Sequence, residues 1–123
     1  MNYFLQRGSG HLVGISSIAA LRGNSDAPAY NASKAFVSNY LEGLRIKAVK
    51  SRKPVFVTDI LPGFVETRMA QGEGFFWVAK PERAAEQILA AIRAKKRRAF
   101  IPRRWRLIAF LMRFMPDFLI EKI

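Results

Sequence analysis

The sequence predicts an α/β fold in which parallel strands are joined through helices. Two apolar runs, residues 11–17 and 53–61, have strand character, and the stretch between them, beginning at Pro28, carries a helical period. Strand, long helix, strand is a βαβ unit, whose crossover is almost always right-handed and leaves both strands parallel. Half of the 123 residues are apolar, enough for one domain with a buried core.

Each element follows from local chemistry. Residues 1–6 are mostly apolar but too few for an independent helix, and they read as the last turns of a longer one, closed by Arg7-Gly8-Ser9-Gly10. In the first strand Leu12, Val13 and Ile15 are apolar without alternation, which predicts burial on both faces. Asn24-Ser25-Asp26-Ala27-Pro28 is a loop with capping side chains, and proline suits the first helical turn. Phe36, Tyr40, Leu44 and Ala48 recur at steps of four, with Val37 and Leu41 beside them, predicting an amphipathic helix to near Ser51.

The second strand is stopped by Pro62-Gly63. Residues 71–78, rich in glycine and aromatics, have no period and read as a mobile loop. Pro81 and Glu82 begin another helix with a basic end at Arg93, Lys95 and Lys96. Residues 98–102 predict a short strand, and residues 103–115 a helix that Pro116 interrupts.

Composition removes several function classes. Without cysteine there is no disulfide framework, thiolate nucleophile or thiolate metal site, and a single histidine, His11, excludes a histidine-cluster metal site, so no metal is expected. His11, at the entry end of its strand, reads as structural. No basic segment followed by an apolar run opens the chain, and no apolar stretch is long enough to span a bilayer, so the expected location is the cytoplasm. Net charge is +12, from 21 basic and nine acidic residues. Nine of the basic residues, and no acid, lie within residues 87–116.

Chemistry concentrates at Tyr30-Asn31-Ala32-Ser33-Lys34. Four residues apart on a helix, Tyr30 and Lys34 share a face. A tyrosine is a poor base at neutral pH, and an adjacent ammonium favours the phenolate form that proton transfer requires. The flanks add two further motifs: Gly10-His11-Leu12-Val13-Gly14-Ile15-Ser16-Ser17 thirteen residues upstream, and Pro62-Gly63-Phe64-Val65-Glu66-Thr67 downstream. In this order and spacing the three resemble the short-chain dehydrogenase/reductases: a strand ending in the active-site serine, the Y-x-A-S-K-A signature, and the P-G-x-x-x-T element.

That resemblance implies a partial doubly wound, Rossmann-like parallel sheet with flanking helices over residues 1–102, followed by a basic amphipathic helical tail at residues 103–123. It implies an NAD(P)(H)-dependent oxidoreductase moving hydride between nicotinamide and a carbonyl or secondary alcohol. Tyr30 would be the acid/base, Lys34 would stabilise its phenolate and hydrogen-bond the nicotinamide ribose, and Ser17 would orient the substrate oxygen. Ser16 is one position too far from Tyr30. Pro62, Gly63, Val65 and Thr67 would line the nicotinamide side, and Phe75, Phe76 and Trp77 would favour an apolar substrate. Asn31 and Asn39 read as ordinary helix residues. By the same resemblance the helix at residues 28–51 would join two copies.

The family's phosphate-binding glycine turn, ribose-selecting residue and catalytic asparagine have no counterpart here. Gly8, Gly10 and Gly14 precede or sit inside the wrong strand for a pyrophosphate turn. The resemblance therefore covers the C-terminal half of the family fold, as a fragment, a truncated reading frame, or a half that pairs with another chain. The isolated chain is expected to be inactive, and NAD against NADP is unreadable. The basic tail admits three readings, in this order: a solvated face on a packed helix, docking at the inner face of a membrane, and nonspecific phosphate binding without any nucleic-acid motif. A noncatalytic basic membrane-surface or interaction module is the competing class.

Overall fold

A computed structural model describes residues 1–63 and 80–120. Its elements are α1 (Asn2–Arg7), β1 (Gly10–Ile15), a single 3-10 turn (Ile18–Leu21), α2 (Pro28–Lys50), β2 (Val55–Pro62), α3 (Pro81–Arg93), β3 (Arg98–Ile101), α4 (Trp105–Phe114) and α5 (Asp117–Ile120). The strands form a parallel sheet in the order β1-β2-β3. Gly10 to Ile15 pair with Val55 to Ile60, and Asp59 to Pro62 pair with Arg98 to Ile101. This is the expected α/β architecture: an incomplete, Rossmann-like open sheet with helices on both faces.

Side-chain alternation assigns the two faces. One carries Leu12, Val55 and Val57 against Leu41 and Ala48 of α2, with Phe4 and Leu5 of α1 and with Val37 and Leu44 filling around them. The other carries Ile60, Ala99 and Ile101 against Ala84, Ile88 and Ala91 of α3. Each large aliphatic side chain buried this way contributes roughly 1.5–3 kcal/mol. Helix α3 begins at Pro81 with Glu82 in its first turn and ends at Arg93, as its charge distribution predicts.

Four expectations need correction. β1 is not buried on both faces: α3 covers β2 and β3, so Val13 and Ile15 on that side are exposed. Its regular pairing ends at Ile15, and Ser16 and Ser17 lie beyond the strand. Pro62 does not stop β2 but is its last residue, paired with Ile101; a proline costs the ladder least at a strand end. The buried stripe of α2 runs through Val37, Leu41, Leu44 and Ala48, whereas Phe36 and Tyr40 point outward and stack on each other, ring centres 6.1 Å apart. Residues 71–78, expected to form a loop, lie outside the described residues.

Candidate active site

The end of β1 supplies the first group. Ser16 keeps the last link to the sheet, its N–H donating to the Ile60 carbonyl at 2.9 Å. The chain then leaves the sheet, and Ser17 caps the 3-10 turn by accepting from the Ala19 N–H at 3.1 Å. The Ser17 hydroxyl donates to the Pro62 carbonyl at 3.4 Å, tying the end of β1 to the end of β2.

Helix α2 supplies the second group. Tyr30 is its third residue and half-exposed, and Lys34 follows one turn later. The Lys34 Nζ donates to the Ile15 carbonyl at 3.4 Å and lies 5.7 Å from the Tyr30 ring centre. It makes no ion pair among the described residues. Pro62 and Gly63 supply backbone at the end of β2, where the Gly63 N–H donates to the Ile101 carbonyl at 2.7 Å. Ser17, Tyr30, Lys34, Pro62 and Gly63 thus sit around the carboxyl ends of β1 and β2, where open α/β sheets bind ligands. Val65 and Thr67, also predicted, fall outside the described residues.

Behind these groups lies a buried polar cluster that the motifs did not reveal. Asp59 of β2 is 1% exposed. It accepts from the Ser16 hydroxyl at 2.5 Å and the Ser38 hydroxyl at 2.6 Å, with the Arg98 guanidinium 3.8 Å away. Arg98 reaches Glu42 at 3.1 Å as well. Ser16, the serine not chosen by spacing, is therefore a structural partner of Asp59, and Ser17 is left free of that cluster. The available signal was an acid inside the apolar run Val55-Phe56-Val57-Thr58-Asp59-Ile60-Leu61, since an acid is seldom buried unless paired.

Asn31 is a second correction. It is a residue of α2 as read, but it is buried, and its amide donates to the Arg22 carbonyl, holding the loop that leads into α2 and Tyr30. A cleft of about 420 Å³ opens beside it, between the 3-10 turn and the first turns of α2. His11 lies at the other end of the sheet, with Nε2 2.8 Å from the Thr58 hydroxyl. Thr58 donates its own proton to the Lys96 carbonyl at 2.6 Å, so Nε2 carries the proton in this pair. Burial, reinforced by the Lys95 charge, lowers the His11 pKa from its ordinary 6.5. This placement agrees with a structural histidine.

The family model for short chain dehydrogenases matches residues 1–75. The chain belongs to the short-chain dehydrogenase family. That family comprises NAD(P)-dependent oxidoreductases. An uncharacterized oxidoreductase of Myxococcus xanthus is 44% identical over 71 residues, covering 58% of this chain and 27% of that protein. One from Mycobacterium tuberculosis is 37% identical over 117 residues, covering 94% of this chain and 45% of that protein. A solved short chain dehydrogenase of Burkholderia cenocepacia, in complex with NADP, superposes with a TM-score of 0.76 at 21% identity, over 98% of this chain and 50% of that one. The chain thus spans at most about half the length of these short-chain dehydrogenases.

The described residues leave groups suited to a dinucleotide at this end of the sheet. The Tyr30 phenol is accessible, the Lys34 ammonium is free of carboxylates among the described residues, and backbone at Pro62 and Gly63 lies at the same end. Gly10 and Gly14 do not serve a phosphate turn. A Cβ at Gly10 would meet the Phe4 ring at 2.2 Å and one at Gly14 would meet Leu41 at 2.4 Å, so both glycines let helices approach the sheet.

Proposed function

We propose that this chain carries the proton-transfer half of a short-chain dehydrogenase that interconverts a carbonyl and a secondary alcohol. The observation that supports it best is the grouping of Ser17, Tyr30 and Lys34 at the carboxyl ends of β1 and β2. Tyr30 donates its phenolic proton to the carbonyl oxygen during reduction and recovers it during oxidation. Lys34, one turn away, offers an opposite charge to the phenolate left behind and donors for ribose hydroxyls. Ser17 turns its hydroxyl from the Pro62 carbonyl to the substrate oxygen, a modest exchange because the resting bond is long at 3.4 Å. Bound NAD(P) supplies or accepts the hydride. Backbone at Pro62 and Gly63 forms the wall on that side.

The 123 residues carry no glycine turn suited to a pyrophosphate, so on this reading they alone do not turn over substrate. A small apolar carbonyl or alcohol is the proposed substrate. The exposed Phe36–Tyr40 stack supports pairing of two copies through α2.

The test joins this chain to the part of the mycobacterial relative that it does not match and follows NADPH-linked reduction of apolar ketones. Tyr30→Phe should lower turnover at least a hundredfold while circular dichroism stays unchanged. Retained turnover in Tyr30→Phe sinks the acid/base assignment, and no turnover with or without the Tyr30 hydroxyl is what the noncatalytic module predicts. For the isolated chain, micromolar binding of NADPH or NADH by fluorescence titration overturns the claim that it lacks the phosphate site.

A further inference from the structure

Helix α4 is apolar on two opposite sides. Trp105 and Ala109 are buried, Ile108 and Met112 half-buried, and these four form the side packed on the domain. With 3.6 residues per turn, Leu107, Phe110, Leu111 and Phe114 fall on the opposite side within an arc of roughly 100°. They are 63%, 61%, 54% and 66% exposed. The Phe110 and Phe114 rings lie 4.8 Å apart, and the exposed Phe118 and Leu119 of α5 continue the apolar surface. Packing of α4 on the domain already uses its inner side. The outer stripe therefore needs another partner.

The charges around it say which. Arg106 and Arg113 lie on the same flank of the helix, next to Phe110, and both are exposed without an ion pair among the described residues. Arg106 also lines a cleft of about 270 Å³ against β3, together with Lys96, Arg98 and Arg103. Residues 87–116 hold no acid, and Asp117, just past them, is paired with Arg22. Arg22 also donates to the Met115 carbonyl at 2.9 Å, so the junction of α4 and α5 is held to the loop after β1. The stripe is presented on an element anchored at both its inner side and its end.

We propose that α4 and α5 dock this protein on an anionic phospholipid surface. The stripe enters the boundary between headgroups and acyl chains, and Arg106 and Arg113 meet headgroup phosphates. An aromatic-rich apolar stripe flanked by cations suits that depth. No described helix is long and apolar enough to cross a membrane, so docking is in the plane of the surface. Nucleic acid would use the cations and leave the stripe in water. A second copy of the chain would cover the stripe but bring its own cations against Arg106 and Arg113.

Flotation of the 123-residue chain with phosphatidylcholine vesicles, with and without about 30 mol% phosphatidylserine, tests this directly. The expected result is co-flotation with the anionic vesicles at low salt and at least tenfold weaker association with the neutral ones. Phe110→Ser with Phe114→Ser should weaken association with anionic vesicles at least tenfold. Arg106→Gln with Arg113→Gln should weaken it by about 30-fold, from roughly 1 kcal/mol per cation near such a surface. All four side chains are exposed, and circular dichroism verifies that each variant stays folded. Failure to co-float at low salt overturns the proposal. So does binding insensitive to the phenylalanine changes, which is adsorption by charge alone, and so does self-association through the stripe without lipid binding.

Discussion

Trp105 lies flat against Gly63, so close that a Cβ at position 63 would fall 2.6 Å from the indole Cε2 and Nε1. Trp105 is 2% exposed and opens α4, while Gly63 follows Pro62, whose carbonyl accepts from the Ser17 hydroxyl. The first residue of α4 therefore sets the position of a backbone residue more than forty positions earlier. This contact gives the glycine of Pro62-Gly63 a packing reason in addition to any ligand it faces.

Gly63→Ala should accordingly destabilise the chain by about 1–3 kcal/mol, because a buried indole cannot withdraw from an added methyl without moving α4. Urea denaturation measures it. Trp105→Phe in the same chain should recover part of the loss, and equal stability of Gly63→Ala and wild type would disprove the contact.

Asp59→Ala leaves the Ser16 and Ser38 hydroxyls without their acceptor and Arg98 without its buried partner. The expected cost is about 2–4 kcal/mol, discounted because Arg98 is partly solvated. Asp26→Ala, on the exposed loop before α2, should stay within about 0.5 kcal/mol. Comparable losses in the two variants would show that the cluster does not support the fold.

The lowered pKa of His11 gives a pH dependence of known sign. The folded state disfavours the imidazolium, so the unfolded chain binds more protons below the ordinary value of 6.5. The contribution is complete above that pH and is lost as pH falls from it toward the lower folded value. Melting temperature should therefore drop on acidification through this window. His11→Asn, which removes the titration, should flatten that part of the profile, and an unchanged profile would assign the acid sensitivity elsewhere.

Lys34→Met should leave stability within about 0.5 kcal/mol, since Lys34 is only partly buried and its bond to the Ile15 carbonyl is long. In the joined enzyme the same change should lower turnover at least tenfold. A large loss of melting temperature would instead make Lys34 a structural residue.

Much of the architecture was legible because it rests on short-range physics. Proline at the start of α2 and α3, the i to i+4 spacing of Tyr30 and Lys34, and the break at Pro116 each depend on neighbours within one or two turns. The resemblance to the family separated Ser17 from Ser16 by its distance from Tyr30, and the structure gives the two serines different partners, Pro62 and Asp59. Periodicity failed where a helix had two apolar sides. Phe36 and Tyr40 satisfied the α2 pattern as well as Leu41 did, and only the sheet beneath decides which stripe is buried.

By itself the sequence determined the βαβ order and the family motifs, because strand length, helix period and residue chemistry are local properties. Tertiary structure alone decided that Asp59 is buried among Ser16, Ser38 and Arg98, that Trp105 presses on Gly63, and that the apolar stripe of α4 faces outward. Each depends on packing between elements that are distant along the chain. No local pattern in a sequence encodes which of two equally apolar surfaces the rest of the fold will cover.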